Sequence, residues 1–208
     1  MNFKYYDLLS NLTIGMVVFY SFWKFFLPDY EISEWIVFPA GYVVGYMLDA
    51  FSSLIEPLLF MAINGKPSDR LLTIVPDQRW SGIKKVKLFF PERVVNQLKT
   101  DTGDAEASTD KMFDFAMQYV NSNKECRVPD FNGHYALSRV FLTTILIAVV
   151  LVELKYYYVW YSWPISLAVL FLAWNRFKER GYYAVVHSVT ISVFTKYLAN
   201  GAAAHASL

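Results

Sequence analysis

The sequence predicts an all-α integral membrane protein, a helical bundle with four transmembrane helices and a small cytoplasmic segment. Of its 208 residues, 55% are hydrophobic, 18% are aromatic and only 18% are charged. The apolar residues collect in long runs, whereas most Lys and Arg residues lie between Lys66 and Arg139 or between Arg176 and Lys196. A soluble domain interleaves the two kinds of residue, so this segregation is typical of a membrane protein.

Four apolar runs approach the roughly 20 residues that a helix needs to cross a bilayer. We expect them to span the membrane at about residues 8–27, 35–63, 136–154 and 157–174. The last two runs are so close that only a tight turn near Glu153–Lys155 joins them. A single re-entrant hairpin is the alternative interpretation there.

These spans divide the chain into four parts. They are a first transmembrane hairpin (1–63), a mostly helical cytoplasmic segment (64–135), a second transmembrane hairpin (136–175) and a cytoplasmic C-terminal helix and tail (176–208). In the second part, Pro91 opens a predicted helix that runs through Lys99, and Ser108 or Thr109 caps another. We expect this part to pack on the helix ends or on a neighbouring subunit, because about 70 residues is marginal for a core of its own.

Two further segments of the cytoplasmic part, 71–75 and 83–90, are predicted as strands or as membrane-hugging segments, and the pattern does not decide between them. The C-terminal helix is predicted from an apolar stripe with helical spacing, and a frayed tail is expected from Gly201 onwards. The stripe consists of Tyr182, Val186, Val189, Val193 and Tyr197.

The charges of the loops predict that both termini lie in the cytoplasm. Residues 28–34 contain three acidic residues and no Lys or Arg, whereas residues 64–135 contain eleven basic residues against ten acidic ones. Cytoplasmic loops carry the excess of Lys and Arg, so the short loops face outwards and the long segment faces inwards. Clusters of Tyr and Trp around both short loops agree, and Lys24 and Lys155 are the exceptions.

The second span carries polar and small residues on one predicted helical face: Gly41, Gly45, Asp49, Ser52, Ser53 and Glu56. Small residues let helices approach closely, and an acidic residue inside a span is costly unless it is paired or hydrated. One hypothesis makes this face the lining of an ion or proton path with Asp49 as its charged group. The other makes it a packing face, with Asp49 or Glu56 paired to Arg139 of the third span.

Other polar residues carry weaker signals. Two basic groups are candidates for contacts with lipid headgroups, although a solvated inner surface explains them equally well. These groups are Lys84, Lys85 and Lys87, and Arg176, Lys178 and Arg180. Cys126 is the only cysteine, and His134 and His187 have no second histidine at ligand spacing, so we expect neither a metal nor another cofactor.

Enzyme signatures are absent from the sequence. It contains no HExxH, no GxSxG and no glycine-rich phosphate loop ending in Lys. The net charge of +1 gives no indication of a nucleic-acid partner. We therefore expect a protein without catalytic activity.

Four stretches together resemble a known group of proteins: Tyr6–Gly15, Gly41–Glu56, Asp130–Arg139 and Arg176–Tyr183. They are similar to bacterial four-span membrane proteins encoded in anti-phage defence loci, of which the membrane subunit of the Kiwa defence system is one candidate. The resemblance covers most of the chain. It implies a multi-pass protein of the bacterial inner membrane that forms homo-oligomers as part of a defence module.

Two functions follow as expectations. The first is a non-enzymatic subunit that senses envelope disturbance or engages a cytosolic partner protein on the inner face. The alternative is a pore-forming or ion-channel effector that depolarises the membrane through the polar face of the second span. An ordinary secondary transporter is less consistent with the sequence, since no inverted repeat or pair of broken helices is present.

Overall fold

The computed structural model describes residues 5–62, 65–73, 86, 88, 90–122, 128–157 and 159–206. These parts contain seven α-helices and no strand, which confirms the prediction of an all-α fold. The helices are α1 (Tyr5–Phe26), α2 (Glu34–Ala62), α3 (Pro67–Leu72), α4 (Pro91–Thr102), α5 (Thr109–Ser122), α6 (Val128–Tyr156) and α7 (Ser162–Ala206). They form two compact units, one of residues 1–59 and 133–177, the other of residues 60–132 and 178–208.

The prediction of four membrane spans is confirmed only in part. Within the described residues, α2 and the Phe131–Tyr156 part of α6 are long and apolar enough to cross a membrane, by length and composition alone. The other two predicted spans, which fall in α1 and α7, do not meet this criterion. In α1 polar residues such as Asn11 and Lys24 interrupt the apolar run, and α7 begins only at Ser162, which shortens the apolar stretch before Arg176.

In the first unit, glycines bring the backbones of α1 and α2 together. A Cβ atom added at Gly15 would overlap the carbonyl oxygen of Gly41, and one added at Gly45 would overlap the carbonyl oxygen of Asn11. At Gly41 it would lie 2.8 Å from the Cα atom of Met16. The spacing of Gly41 and Gly45 therefore serves helix association, and its partner is the first helix of the same chain.

The turn between α6 and α7 lies later than predicted. Helix α6 continues through Glu153 and Lys155 to Tyr156, and the turn comes before Ser162. Glu153 is therefore a buried helical residue, 7% exposed, rather than a turn residue. Its carboxylate accepts hydrogen bonds from the hydroxyls of Ser162 (3.0 Å) and Ser166 (2.6 Å). These bonds satisfy a buried acid and join the two helices next to the turn.

The second unit has its own hydrophobic core. Its described residues come from two parts of the chain, Leu72, Val86, Leu88 and residues between 94 and 116 in one and the middle of α7 in the other. The predicted stripe of α7 faces this core, since Tyr182, Val186, Val189 and Val193 are all at most 9% exposed. The segment after the second span therefore packs against the C-terminal helix of the same chain. Tyr197 falls outside the described side chains.

Local signals set the helix boundaries of the second unit. Pro91 is at the first position of α4, as predicted, and Gly103 ends the helix at φ 67°, in the left-handed region that glycine adopts without strain. The hydroxyl of Ser108 accepts a hydrogen bond from the backbone N–H of Lys111, which caps α5.

Of the segment 71–75, predicted as a strand or a membrane-hugging segment, Leu71 and Leu72 end α3, and residues 74 and 75 lie outside the described residues. Of the segment 83–90, predicted in the same way, only residues 86, 88 and 90 are described. The prediction of a frayed tail from Gly201 was wrong, since α7 continues through Gly201 to Ala206.

Lys196 joins three helices of the second unit. Its ammonium group lies 3.1 Å from the carboxylate of Asp101 on α4, with side chains only 22% and 15% exposed. It also lies 4.1 Å from the centre of the Phe115 ring and 5.0 Å from that of Tyr119, both on α5. A partly buried cation that lies over two rings and pairs with an acid contributes more to stability than an exposed ion pair does.

We expect Lys196→Met to destabilise the second unit by about 1–3 kcal/mol, because methionine keeps the apolar stem but removes the charge from Asp101 and from both rings. Amide hydrogen exchange in α4 and α5 measures this effect, as faster exchange. Lys111→Met is the matched control, because its ion pair with Asp104 is exposed, at 53% and 39% of the two side chains. Equal effects of the two substitutions would contradict the assignment.

Candidate functional site

A network of charged and polar side chains connects α2 and α6 within the first unit. Three groups on α2 converge on the guanidinium of Arg139: the carboxylates of Asp49 and Glu56 and the hydroxyl of Ser52. Residues 49, 52 and 56 are three and four positions apart, so they lie on the same side of the helix. Arg139 lies within the apolar stretch of α6, where an unpaired charge would be costly.

Each bonded nitrogen of Arg139 has its own acceptor. Nε donates to Ser52 Oγ at 3.1 Å, Nη1 to Glu56 Oε2 at 2.5 Å and Nη2 to Asp49 Oδ1 at 3.0 Å. The hydroxyl of Ser52 in turn donates to the backbone carbonyl oxygen of Asp49 at 2.7 Å. Charge-assisted hydrogen bonds of this kind are short and strong, and the planar guanidinium fixes their directions.

Tyr135, one turn before Arg139 on α6, completes the network. Its hydroxyl donates a hydrogen bond to Oε1 of Glu56, so both oxygens of that carboxylate are bonded. The ring of Tyr135 stacks on Phe177 at 5.6 Å between centroids, and Phe177 is 1% exposed. The aromatic contact therefore fixes the hydroxyl next to Glu56.

Burial differs among the charged members. The side chain of Arg139 is 13% exposed, that of Glu56 21% and that of Asp49 36%. With both acids ionised, two carboxylates face one guanidinium, which leaves one excess negative charge. Asp49 is the carboxylate best placed to reach a group outside the unit.

The structure brings together only part of the predicted polar face. Asp49, Ser52 and Glu56 meet Arg139, while Gly41 and Gly45 contact α1 on the buried side of α2. Ser53 is exposed, and its hydroxyl donates to the carbonyl oxygen of Asp49 at 3.0 Å. The roles of Gly15 and Tyr135 were not predicted from the sequence. Nor were the contacts of Glu153 with the hydroxyls of Ser162 and Ser166.

The predicted headgroup residues fall into two sets. Lys84, Lys85 and Lys87 lie outside the described residues. Of the set that follows the fourth predicted span, Arg176 is exposed, and Lys178 and Arg180 are partly buried. Burial lowers the pKa of Lys178, and the nearby charge of Arg70 lowers it further.

The described residues contain no group of three or more His, Cys, Asp or Glu side chains that could hold a metal ion. His187 lies in an aromatic setting instead. Its ring stacks on Phe131, with centroids 3.8 Å apart, and lies 6.1 Å from Tyr183. Burial lowers the pKa of His187 below its ordinary value of 6.5, so the neutral imidazole is the form that packs here.

This shift predicts that acidification destabilises the protein. As the pH falls through about 6.5, the unfolded chain takes up a proton on His187 more readily than the folded chain does, so the stability present at neutral pH decreases. The unfolding midpoint measured at several pH values between about 5.5 and 7.5 should therefore fall on the acid side. His187→Phe keeps a ring in place and should remove this component. The same acid sensitivity in the variant would contradict the assignment.

Fold and site define a class of protein: a helical chain in which a partly buried, charged network joins two helices that are long and apolar enough to cross a membrane. Comparison with protein-family models, with curated proteins and with solved structures finds no match to this chain.

Proposed function

We propose that this chain is a four-span protein of the bacterial inner membrane, with both termini in the cytoplasm and without catalytic activity. Two helices of membrane-spanning length support the proposal. The excess of Lys and Arg in residues 64–135 and after Trp174 supports the orientation. In this arrangement the second unit is cytoplasmic, and α1 and the first part of α7 supply the remaining two spans.

We further propose that the chain is the membrane subunit of an anti-phage defence system. The resemblance of the four sequence stretches supports the defence role. The second unit supports a role in binding a cytosolic partner protein, because it has a hydrophobic core of its own, whereas the proposed outer loops have only a few residues. Exposed apolar residues along α2, such as Tyr46, Met47 and Leu54 at 64–76% exposure, are available to lipid or to a second copy in a homo-oligomer.

One observation favours this proposal over a conducting role: the side chains of the network are bonded to one another. Arg139 is bonded through three nitrogens to three side chains of α2, and Glu56 is bonded through both oxygens. Side chains that saturate one another in this way fix two helices in place. A conducting path needs polar groups that exchange partners with the passing ion.

A channel that depolarises the membrane is the second candidate. The partial exposure of Asp49 and the excess negative charge favour it, since a carboxylate that is incompletely compensated can line a cation path in an oligomer. Asp49→Asn separates the two functions. It removes the charge from such a path, while Arg139 retains its bonds to Glu56 and Ser52.

The test combines a bilayer recording with a phage challenge. Purified wild-type chain in planar bilayers should show no conductance above that of empty bilayers. Cells carrying the chain with its neighbouring genes should plate phage less efficiently than cells in which the gene is deleted, and Asp49→Asn should keep this protection. A conductance that Asp49→Asn alters would support the channel instead. Equal plating with and without the gene would contradict the defence role.

A further inference from the structure

An apolar cavity of about 230 Å³ lies in the first unit between α1 and α6, with Leu48 of α2 at its floor. Ser21, Phe22 and Phe25 line it from α1, and Ala148 and Leu151 are among the α6 residues that line it. It is a groove open to the surface, since Phe22 is 52% exposed. Its wall on α6 reaches from Thr144 to Val152, which is about 12 Å along a helix axis.

A lysine marks one end of this groove. Lys155 follows Leu151 and Val152 by four and three positions, so it continues the same face of α6 by one turn. Its ammonium group lies 4.1 Å from the centre of the Phe25 ring, and Phe25 also lines the groove. Among the described residues, Lys155 makes contacts with the rings of Phe25 and Tyr156 and forms no ion pair.

The position of Lys155 also explains an exception in the sequence. Lys155 and Lys24 are the cations that the positive-inside rule leaves on the outer side, and both lie in the last turn of their helices. Phe25, next to Lys24 in sequence, contacts Lys155. Lys155 is therefore a cation on the proposed outer side, where the loop of residues 28–34 is acidic. It lies at one end of an apolar groove and has no carboxylate partner among the described residues. An anionic group supplied from outside the chain can therefore bind to it.

We propose that this groove binds one anionic phospholipid, with an acyl chain along α1 and α6 and the phosphate of the headgroup at Lys155. The inference rests on the proposed location of the first unit in the membrane. Charge complementarity selects the occupant, because an anionic headgroup matches an unpaired ammonium group, whereas a zwitterionic headgroup carries its own cation. The apolar walls match a hydrocarbon chain, and Lys155 keeps its N–H donors available while it lies over the ring of Phe25.

Native mass spectrometry of the full chain in detergent, titrated with phosphatidylglycerol and separately with phosphatidylcholine, tests the proposal. Wild-type chain should bind the first phosphatidylglycerol more tightly than phosphatidylcholine. Lys155→Gln should weaken phosphatidylglycerol binding about fivefold and phosphatidylcholine binding much less, because choline already compensates the phosphate of that lipid, and Lys155→Arg should keep the preference. Lys111→Gln, an exposed lysine of the second unit, is the matched control and should bind both lipids as wild type does.

Two variants test the groove itself. Ala148→Phe from α6 and Ser21→Leu from α1 fill it from opposite walls, and each should weaken the binding of both lipids. Thermal unfolding identifies a variant that fails to fold, in which case the other variant carries the test. Unchanged phosphatidylglycerol binding in Lys155→Gln or in a folded groove variant would overturn the proposal. Extraction of wild-type chain from membranes by carbonate would instead contradict the membrane location.

Discussion

Replacing Arg139 by leucine should destabilise the protein by about 3–5 kcal/mol, because the substitution leaves the carboxylates of Asp49 and Glu56 together and without a cation. Leucine is apolar and suits the rest of α6, so the loss comes from the two acids rather than from the new side chain. Unfolding in mixed micelles, followed by circular dichroism as a denaturing detergent is added, measures the change. We expect less folded protein in membranes as well.

The matched control neutralises all three charges at once. In a variant with Arg139→Leu, Asp49→Asn and Glu56→Gln, no ionised group remains without a partner, so most of the lost stability should return. The single substitution Asp49→Asn should cost less than Glu56→Gln, since Asp49 is the more exposed acid and makes one bond to the guanidinium at 3.0 Å. A triple variant as unstable as Arg139→Leu would contradict the pairing.

Replacing Gly45 by valine should also be strongly destabilising, with a loss of about 3 kcal/mol. The added Cβ would overlap the backbone of Asn11, and a backbone cannot turn aside as a flexible side chain does. Helix α1 would have to move away from α2, which would also remove the contact between Gly15 and Gly41.

Ala50→Val provides the control for this substitution. Ala50 is exposed on the same helix, so the stability should change by less than about 0.5 kcal/mol. Unfolding of both variants under the same conditions gives the comparison. A Gly45→Val variant as stable as Ala50→Val would show that α1 and α2 do not pack through these glycines.

Much of the fold follows from patterns within single segments. The apolar stripe of α7, Pro91 at the start of α4 and Ser108 before α5 are local signals, and the structure uses each of them. The acidic residues of α2 and Arg139 of α6 could be predicted as site residues, because charged residues are rare within apolar runs of this length.

The remaining features depend on residues far apart in sequence. Gly15 is a lone glycine of α1, and its importance arises only where Gly41 and Gly45 approach it. From the sequence, Glu153 is expected in a turn. Its buried position in α6 depends on Ser162 and Ser166, nine and thirteen positions away, whose hydroxyls donate to its carboxylate. Tyr135 precedes the predicted start of the third span, so the helix had to begin earlier for its hydroxyl to reach Glu56.

These contacts have one consequence in common. Helices α1, α2, α6 and the start of α7 are joined by backbone approach, by ion pairs and by buried hydroxyl groups rather than by apolar contact alone. Lipid chains can replace contacts between apolar side chains, but they cannot replace these polar and close-packed contacts. These contacts support the proposed location of the first unit in the membrane.

The lone cysteine allows the most direct test of the membrane arrangement. Cys126 lies in the segment that we place in the cytoplasm. A maleimide reagent that cannot cross membranes should label it in inside-out vesicles and not in intact spheroplasts, whereas Ser33→Cys in a Cys126→Ser background should give the opposite pattern. Labelling of Cys126 in intact spheroplasts, with Ser33→Cys protected there, would contradict the proposed topology.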